Sequence, residues 1–134
     1  MTVKILEGPL PMRSWSLKIE GRPRLPQSKE YSEWAERISS SWIDKYGGEI
    51  FPTSLPLTVA LWFTFGDRRH TELSGYVEGV LQALSAFLER RNIRLLLTVA
   101  VDDPASPEGV DIYIAPFYRG AAFQAWQALY LARK

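Results

Sequence analysis

The segment 55–65 constrains the fold of this chain more than any other. Large apolar side chains recur at every second position, the spacing that predicts one face of a β-strand: Leu57, Val59, Leu61, Phe63 and Phe65. The positions between them are also fairly apolar: Thr58, Ala60, Trp62 and Thr64. Because a strand with two apolar faces must be covered on both sides, we expect it to lie in the middle of a sheet.

Apolar periodicity predicts three helices and further strands around this central strand. The helices are expected over residues 28–45, 71–88 and 120–132, with Ser28 capping the first helix and Gly47-Gly48 ending it. Strands are expected over residues 3–6, 93–101 and 110–115, and the last two can form a hairpin. Prolines in the basic segment 12–27 predict a loop, in which residues 16–19 are a candidate short strand.

These elements indicate an α/β (α+β) fold, in which helices pack on a single mixed sheet. A chain of 134 residues has the size of one domain. We therefore expect a single domain over residues 1–134, with a core over residues 1–116 and a C-terminal helical extension over residues 117–134.

Composition excludes several functional classes. Sixteen Lys and Arg against fifteen Asp and Glu give a net charge of +1, which excludes a polyanion binder recognised by gross charge. The chain has no cysteine and one histidine, which excludes disulfide scaffolds, thiolate zinc sites and His-rich metal sites. No apolar run approaches the ~20 residues of a membrane span, and the N-terminus does not resemble a signal peptide. We therefore expect a cytoplasmic protein with no membrane partner.

The turn after the central strand is the most informative segment for function. It reads Phe65-Gly66-Asp67-Arg68-Arg69-His70-Thr71-Glu72. Ligands often bind where the carboxyl end of a strand meets a helix N-terminus, because free N–H groups and a partial positive charge lie there. Arg68 and Arg69 add guanidinium groups suited to phosphate. The alternative is a solvated charged turn in which Glu72 complements the helix dipole.

The order of four segments resembles a known family: Leu6-Glu7-Gly8-Pro9-Leu10-Pro11, Gly21-Arg22-Pro23-Arg24, the helix from Ser28 to Trp34, and Asp67-Arg68-Arg69 before a helix ending Val80-Leu81-Gln82-Ala83-Leu84. In these segments the chain is similar to the RusA-type Holliday junction resolvases, which are homodimeric, magnesium-dependent endonucleases that cut branched DNA. The resemblance covers roughly residues 3–115. It implies a RusA-like fold, branched DNA as a partner, a homodimer, and Mg²⁺ as the cofactor if the protein is active. The helix after Phe117 looks like an extension that short family members lack.

The chain departs from the family pattern where the resemblance implies catalytic groups. The family's two metal-binding aspartates at the helix start correspond to Glu72 and Ser74, and the next asparagine to Gly75. The family's lysine one turn later corresponds to Glu78, and its Asp-Asp pair before the next strand to Glu89-Arg90. Mg²⁺ prefers charged oxygen ligands, so a serine is a poor replacement and an arginine would repel the ion. Glu78 lies about 240° round the helix from Glu72, so the two do not share a face.

Three functional hypotheses follow from this pattern. The first is a RusA-like protein that binds branched DNA or another nucleic acid with cleavage reduced or lost, through six candidate phosphate-binding residues: Arg22, Arg24, Arg68, Arg69, Arg90 and Arg91. The second is an active Mg²⁺-dependent endodeoxyribonuclease with a rearranged site. In it Glu72 and Glu89 would be catalytic, and Glu72, Asp67 and Glu89 would bind the metal.

The third hypothesis is an inert interaction or structural protein that keeps the fold. Its partner surface would lie on the extra helix and the residues before it: Phe117, Tyr118, Phe123, Trp126 and Tyr130. Trp15 in the basic loop has two interpretations. It stacks on an unpaired base, or it packs against the domain or a partner subunit, which is the commoner role of such an aromatic.

Overall fold

The computed structural model describes residues 14–48, 51, 55–67 and 73–132. In this part of the chain four strands form one sheet: β1 (Trp15–Glu20), β2 (Leu57–Phe65), β3 (Ile93–Asp102) and β4 (Gly109–Pro116). Three α-helices accompany them: α1 (Tyr31–Tyr46), α2 (Leu73–Leu84) and α3 (Ala121–Ala132). A short 3₁₀ helix (Arg90–Asn92) precedes β3. The strand expected over residues 3–6 lies outside the described residues.

The sheet is mixed, as the sequence predicts. Its strand order is β1-β4-β2-β3. β4 pairs antiparallel with both β1 and β2, whereas β2 pairs parallel with β3. α2 connects the two parallel strands, because parallel neighbours need a long crossover. The expected fold class, a single mixed sheet with packed helices, is confirmed.

β2 is the centre of the structure, and all nine of its residues are buried. One face carries Leu57, Leu61 and Phe63 into a core shared with α1 and α2, where Trp34, Trp42, Val80 and Leu84 are also buried. The other face places Ala60 and Trp62 against Ala125 and Leu129 of α3. The predicted position of this strand, in mid-sheet and covered on both sides, is confirmed.

Trp15 packs inside the domain. Trp15 is buried, and its ring stacks on Tyr46 with 4.2 Å between centroids. It also packs against Trp42 at 5.1 Å. Packing, rather than stacking on a base, is therefore the role of Trp15.

The predicted hairpin between β3 and β4 is wrong, because the two strands lie on opposite sides of β2. The connecting residues cross the end of β2, where the Asp103 N–H donates to the Phe65 carbonyl at 2.8 Å. Residues of β3 alternate between half-buried and exposed, whereas those of β2 are buried throughout. The more apolar strand therefore occupies the interior position, where both faces and both edges are removed from water.

Two predicted helix boundaries also differ from the structure. α1 begins at Tyr31 and has Glu30 at its N-cap, while the Ser28 hydroxyl donates to the Leu25 carbonyl at 2.9 Å. Ser28 thus stabilises the turn before the helix and does not cap it. Gly47 ends α1 as predicted, with a φ of 67° that favours glycine.

α2 ends four residues before the predicted position. The last residue of the helix is Leu84, and the following segment is a tight turn. The Phe87 and Leu88 N–H groups both donate to the Leu84 carbonyl, at 2.8 and 3.1 Å. Phe87 and Leu88 are nevertheless buried, as their apolar side chains require. The apolar pattern therefore predicted their burial correctly and their conformation wrongly.

Gly109 allows β4 to approach β1, and we expect Gly109→Ala to destabilise the protein. An added Cβ would stand 2.2 Å from the Ile19 carbonyl oxygen, so the backbone of β1 or β4 must move. The expected loss in free energy of unfolding is about 1–3 kcal/mol or more, measured by urea denaturation.

Gly48→Ala is the matched control for this variant. A Cβ at Gly48 meets no described atom within 4 Å, so its effect is expected to stay within about 0.5 kcal/mol. Equal stabilities of the two variants would contradict the packing of β4 against β1.

Candidate nucleic-acid interface

Three charged side chains converge at the carboxyl end of β2. Arg22 comes from the loop after β1, Asp67 follows β2, and Glu108 precedes β4. The Arg22 Nη1 donates to Glu108 Oε2 at 2.8 Å and lies 3.4 Å from Asp67 Oδ1. The Gly66 N–H donates to the same Glu108 oxygen at 2.6 Å. We call Arg22, Asp67 and Glu108 the carboxyl-edge cluster.

The carboxyl-edge cluster holds the Arg22 guanidinium in place. Partial burial works to lower the pKa of Arg22, but the negative charges of Glu108 and Asp67 outweigh it and raise that pKa above its ordinary value. The guanidinium also lies over the Phe65 ring, 5.7 Å from its centroid. Because two carboxylates face this one cation, Arg22 mainly holds Asp67 and Glu108 together and leaves no net positive charge for a ligand.

Three expected site residues lie outside the described part of the chain, so their roles stay predictions: Arg68 and Arg69 for phosphate, and Glu72 for the metal ion. The described residues on either side, Asp67 and Leu73, show where the segment departs from β2 and where α2 begins. Asp67, the last described residue before position 68, belongs to the carboxyl-edge cluster.

The basic loop crosses α2 at two glycines. A Cβ at Gly75 would stand 2.7 Å from the Leu25 side chain, and one at Gly79 would stand 3.1 Å from the Arg24 carbonyl oxygen. The Tyr31 hydroxyl donates to the Gly79 carbonyl at 2.6 Å. The missing side chains let the backbone around Arg24 lie directly on α2. The close backbone approach is at Gly79, whereas Gly75, which stands where the family resemblance implies an asparagine, faces only the Leu25 side chain.

Glu78 and Arg90 form a bidentate ion pair. The Arg90 Nη1 donates to Glu78 Oε2 at 2.8 Å, and its Nη2 donates to Glu78 Oε1. The hydrogen bonds from Arg90 lower the pKa of the Glu78 carboxyl, and the same contact raises the pKa of Arg90. These are two of the positions at which the chain departs from the family pattern. Both carboxylate oxygens of Glu78 are therefore occupied by a cation of the same chain.

The structure separates two members of the expected metal site. Asp67 lies beyond the carboxyl end of β2, whereas Glu89 lies just before β3, at the opposite end of the parallel pair. The nine residues of β2 span about 26 Å. Asp67 and Glu89 of one chain therefore do not bind the same ion. Asp67 together with Glu72 stays a prediction.

Arg91 and Glu89 are also neighbours at the amino end of β3. The Arg91 Nε lies 3.6 Å from Glu89 Oε1, and the Arg91 side chain is largely exposed. Among the described residues, no three His, Asp or Glu side chains form a group that could hold a metal ion. Because Arg90 and Arg91 lie at the amino end of β3, they are far from the carboxyl-edge cluster and do not continue a line from Arg22.

Sequence reasoning missed Glu108. This residue sits in a polar turn with two prolines, which by itself suggests only a surface loop. Its place in the cluster depends on β4 running antiparallel beside β2, which brings the start of β4 to the end of β2. No local signal in the sequence carries that pairing.

No protein-family model matches the chain, and no curated protein matches it. Among the described residues, no helix is long and apolar enough to cross a membrane. The RusA resemblance therefore stays a prediction carried by the order and spacing of the motifs.

We expect Arg90→Gln to raise the pKa of Glu78 towards its ordinary value. The pKa of Glu78 is lower in the folded protein than in the unfolded chain. The pair therefore stabilises the protein at pH values above the unfolded pKa, and this stabilisation is lost as the pH falls through the folded pKa. Both side chains are partly exposed, so the pair contributes only about 0.2–1 kcal/mol. Carboxyl ¹³C NMR across the acidic range measures the shift directly.

Arg91→Gln is the control, because it removes the same charge from a neighbouring position that contacts Glu89. The Glu78 titration should stay at the wild-type position in that variant. A Glu78 midpoint that moves equally in both variants would contradict a specific Glu78–Arg90 pair.

Proposed function

We propose that this protein is a RusA-like protein that binds branched DNA or another nucleic acid, with cleavage reduced or lost. The Glu78–Arg90 ion pair is the observation that supports the loss of cleavage, and the binding of nucleic acid rests on the resemblance. At these positions the resemblance implies a lysine that assists phosphate chemistry and an aspartate near the metal. In this chain both charges are reversed and the two side chains form an ion pair, which supports a protein that keeps the fold but no longer cleaves DNA.

Binding to the nucleic-acid backbone is compatible with the small net charge. Recognition through phosphates needs cations grouped at one edge, and it does not need a strongly basic protein. Arg22 is already matched by Glu108 and Asp67. The proposal therefore assigns phosphate contact mainly to Arg24, Arg68 and Arg69. Arg90 and Arg91 contribute less, because both have carboxylate partners at the other end of the sheet.

The altered helix start supports weak or absent cleavage. Ser74 lies in the first turn of α2 and offers a neutral hydroxyl where the family has a charged metal ligand. Metal-assisted hydrolysis needs an ion that stabilises charge at the phosphate and activates water. Glu72 and Asp67 are the remaining carboxylates for the alternative, an active Mg²⁺-dependent endonuclease.

A second candidate function is protein–protein interaction without a nucleic-acid role. It is favoured by five aromatic side chains that are each 40% exposed or more: Phe117, Tyr118, Phe123, Trp126 and Tyr130. The homodimer that the resemblance implies is a related proposal, since a pair of chains doubles any phosphate-binding edge.

We expect the protein to bind a four-way junction more tightly than linear duplex DNA, with an affinity that falls as salt rises. In gel shifts, the double variant Arg68→Ala, Arg69→Ala should bind more weakly. For this variant, the slope of log affinity against log salt concentration should be less steep by about one or two units. The control pair Lys29→Ala, Arg119→Ala removes the same charge from exposed positions elsewhere and should bind like wild type. Absence of junction preference, or affinity independent of salt, would count against the proposal.

We also expect no strand cleavage when the protein is incubated with a junction in Mg²⁺ or Mn²⁺. The reason is the shortage of carboxylates at the start of α2. Products resolved on denaturing gels provide the measurement. Cleavage by the wild type that disappears in Glu72→Gln would reject the loss of activity and favour the rearranged nuclease site.

A further inference from the structure

Glu108 joins three segments that are far apart in the chain. Its Oε2 accepts hydrogen bonds from the Arg22 Nη1 at 2.8 Å and from the Gly66 N–H at 2.6 Å. Its backbone carbonyl accepts a third from the Gly21 N–H at 2.9 Å. One residue at the start of β4 therefore fastens both the loop after β1 and the turn after β2.

The surroundings of the Glu108 carboxylate strengthen these contacts. The Arg22 and Glu108 side chains are only 24% and 29% exposed, and water weakens such a pair less than one on the open surface. A Cβ at Gly66 would stand 2.9 Å from Glu108 Oε2, so a larger residue there would push the carboxylate away from the Gly66 N–H. The glycine therefore permits the close contact between β4 and the turn.

The two segments that Glu108 fastens lead to the residues assigned to phosphate contact. Arg24 lies in the loop after β1, and it has no carboxylate partner among the residues that the structure describes. Arg68 and Arg69 follow the turn after β2 in the sequence. Glu108 therefore fixes the described residues that precede both groups of arginines.

A fixed separation matters for the shape of a nucleic acid more than for its charge. A four-way junction and a linear duplex present the same phosphate groups in different arrangements. Cations on mobile segments attract both forms through charge alone. Cations held at a set separation favour the form whose phosphates match it, because less freedom is lost on binding.

We propose that Glu108 is a positioning residue that gives this protein its preference for branched over linear DNA. It acts through Arg22 and Gly66 and needs no contact with the DNA. The inference rests on the proposed function and deepens it, since it names the contact that selects the substrate. Charge alone predicts the opposite effect, because a carboxylate repels DNA and its removal would strengthen binding.

Fluorescence anisotropy with a labelled four-way junction and a linear duplex of the same arm sequence tests this proposal. Glu108→Ala should weaken junction binding about threefold to tenfold, because the two segments lose their fixed separation. Its duplex affinity should equal or exceed that of the wild type. A variant that was merely destabilised would lose affinity for both DNAs in parallel.

Glu108→Gln should restore the preference, because its amide oxygen can still accept from the Gly66 N–H and from Arg22. Glu36→Ala is the charge control, since it removes a carboxylate from an exposed position on α1 and should keep the wild-type preference. Amide hydrogen exchange at Gly66, followed by NMR without DNA, should be faster in Glu108→Ala and unchanged in Glu108→Gln.

The possible failures are distinguishable. A wild-type protein that binds neither DNA, or both equally, would overturn the proposed function and this inference together. A junction preference that persists in Glu108→Ala would overturn this inference alone. The same holds for a Gly66 exchange rate that Glu108→Ala does not change, and for a Glu108→Gln variant that behaves like Glu108→Ala.

Discussion

The burial of β2 on both faces is the constraint on which the rest of the structure depends. A strand with two apolar faces requires helices on both sides and hydrogen-bonded strands along both edges. The chain supplies α1 and α2 for one face, α3 for the other, and β3 and β4 as neighbours. The same arrangement brings the end of β2 beside the start of β4, which creates the carboxyl-edge cluster.

Charge pairing decides which side chains are available for chemistry. Arg22 meets Asp67 and Glu108, and Arg90 meets Glu78. Such partly exposed pairs contribute little to stability, yet each reduces the charge that a phosphate or a metal ion would encounter. The described part of the candidate site is therefore closer to neutral than its arginine content suggests. The proposed phosphate contact therefore falls mainly to Arg24, Arg68 and Arg69.

Local pattern predicted much of the fold and less of the site. Alternation identified β2 and its central position, and glycine at position 47 identified the end of α1. Ser28 was expected to cap a helix but bonds to the Leu25 carbonyl, since a serine hydroxyl serves turns and helix caps equally well. Glu108 was missed because its partners, Arg22 and Gly66, lie 86 and 42 residues away in the chain.

The sequence by itself determined which strand is central, which helix faces are apolar, and that α3 carries no charge. These properties are local, because each follows from the identity and spacing of residues within one element. Only the tertiary structure decided that β2 separates β3 from β4, that Glu78 pairs with Arg90, and that Asp67 and Glu89 lie at opposite ends of the sheet. Strand order decides the first and third of these, and the turn between α2 and β3 decides the second; both result from how whole elements exclude water together.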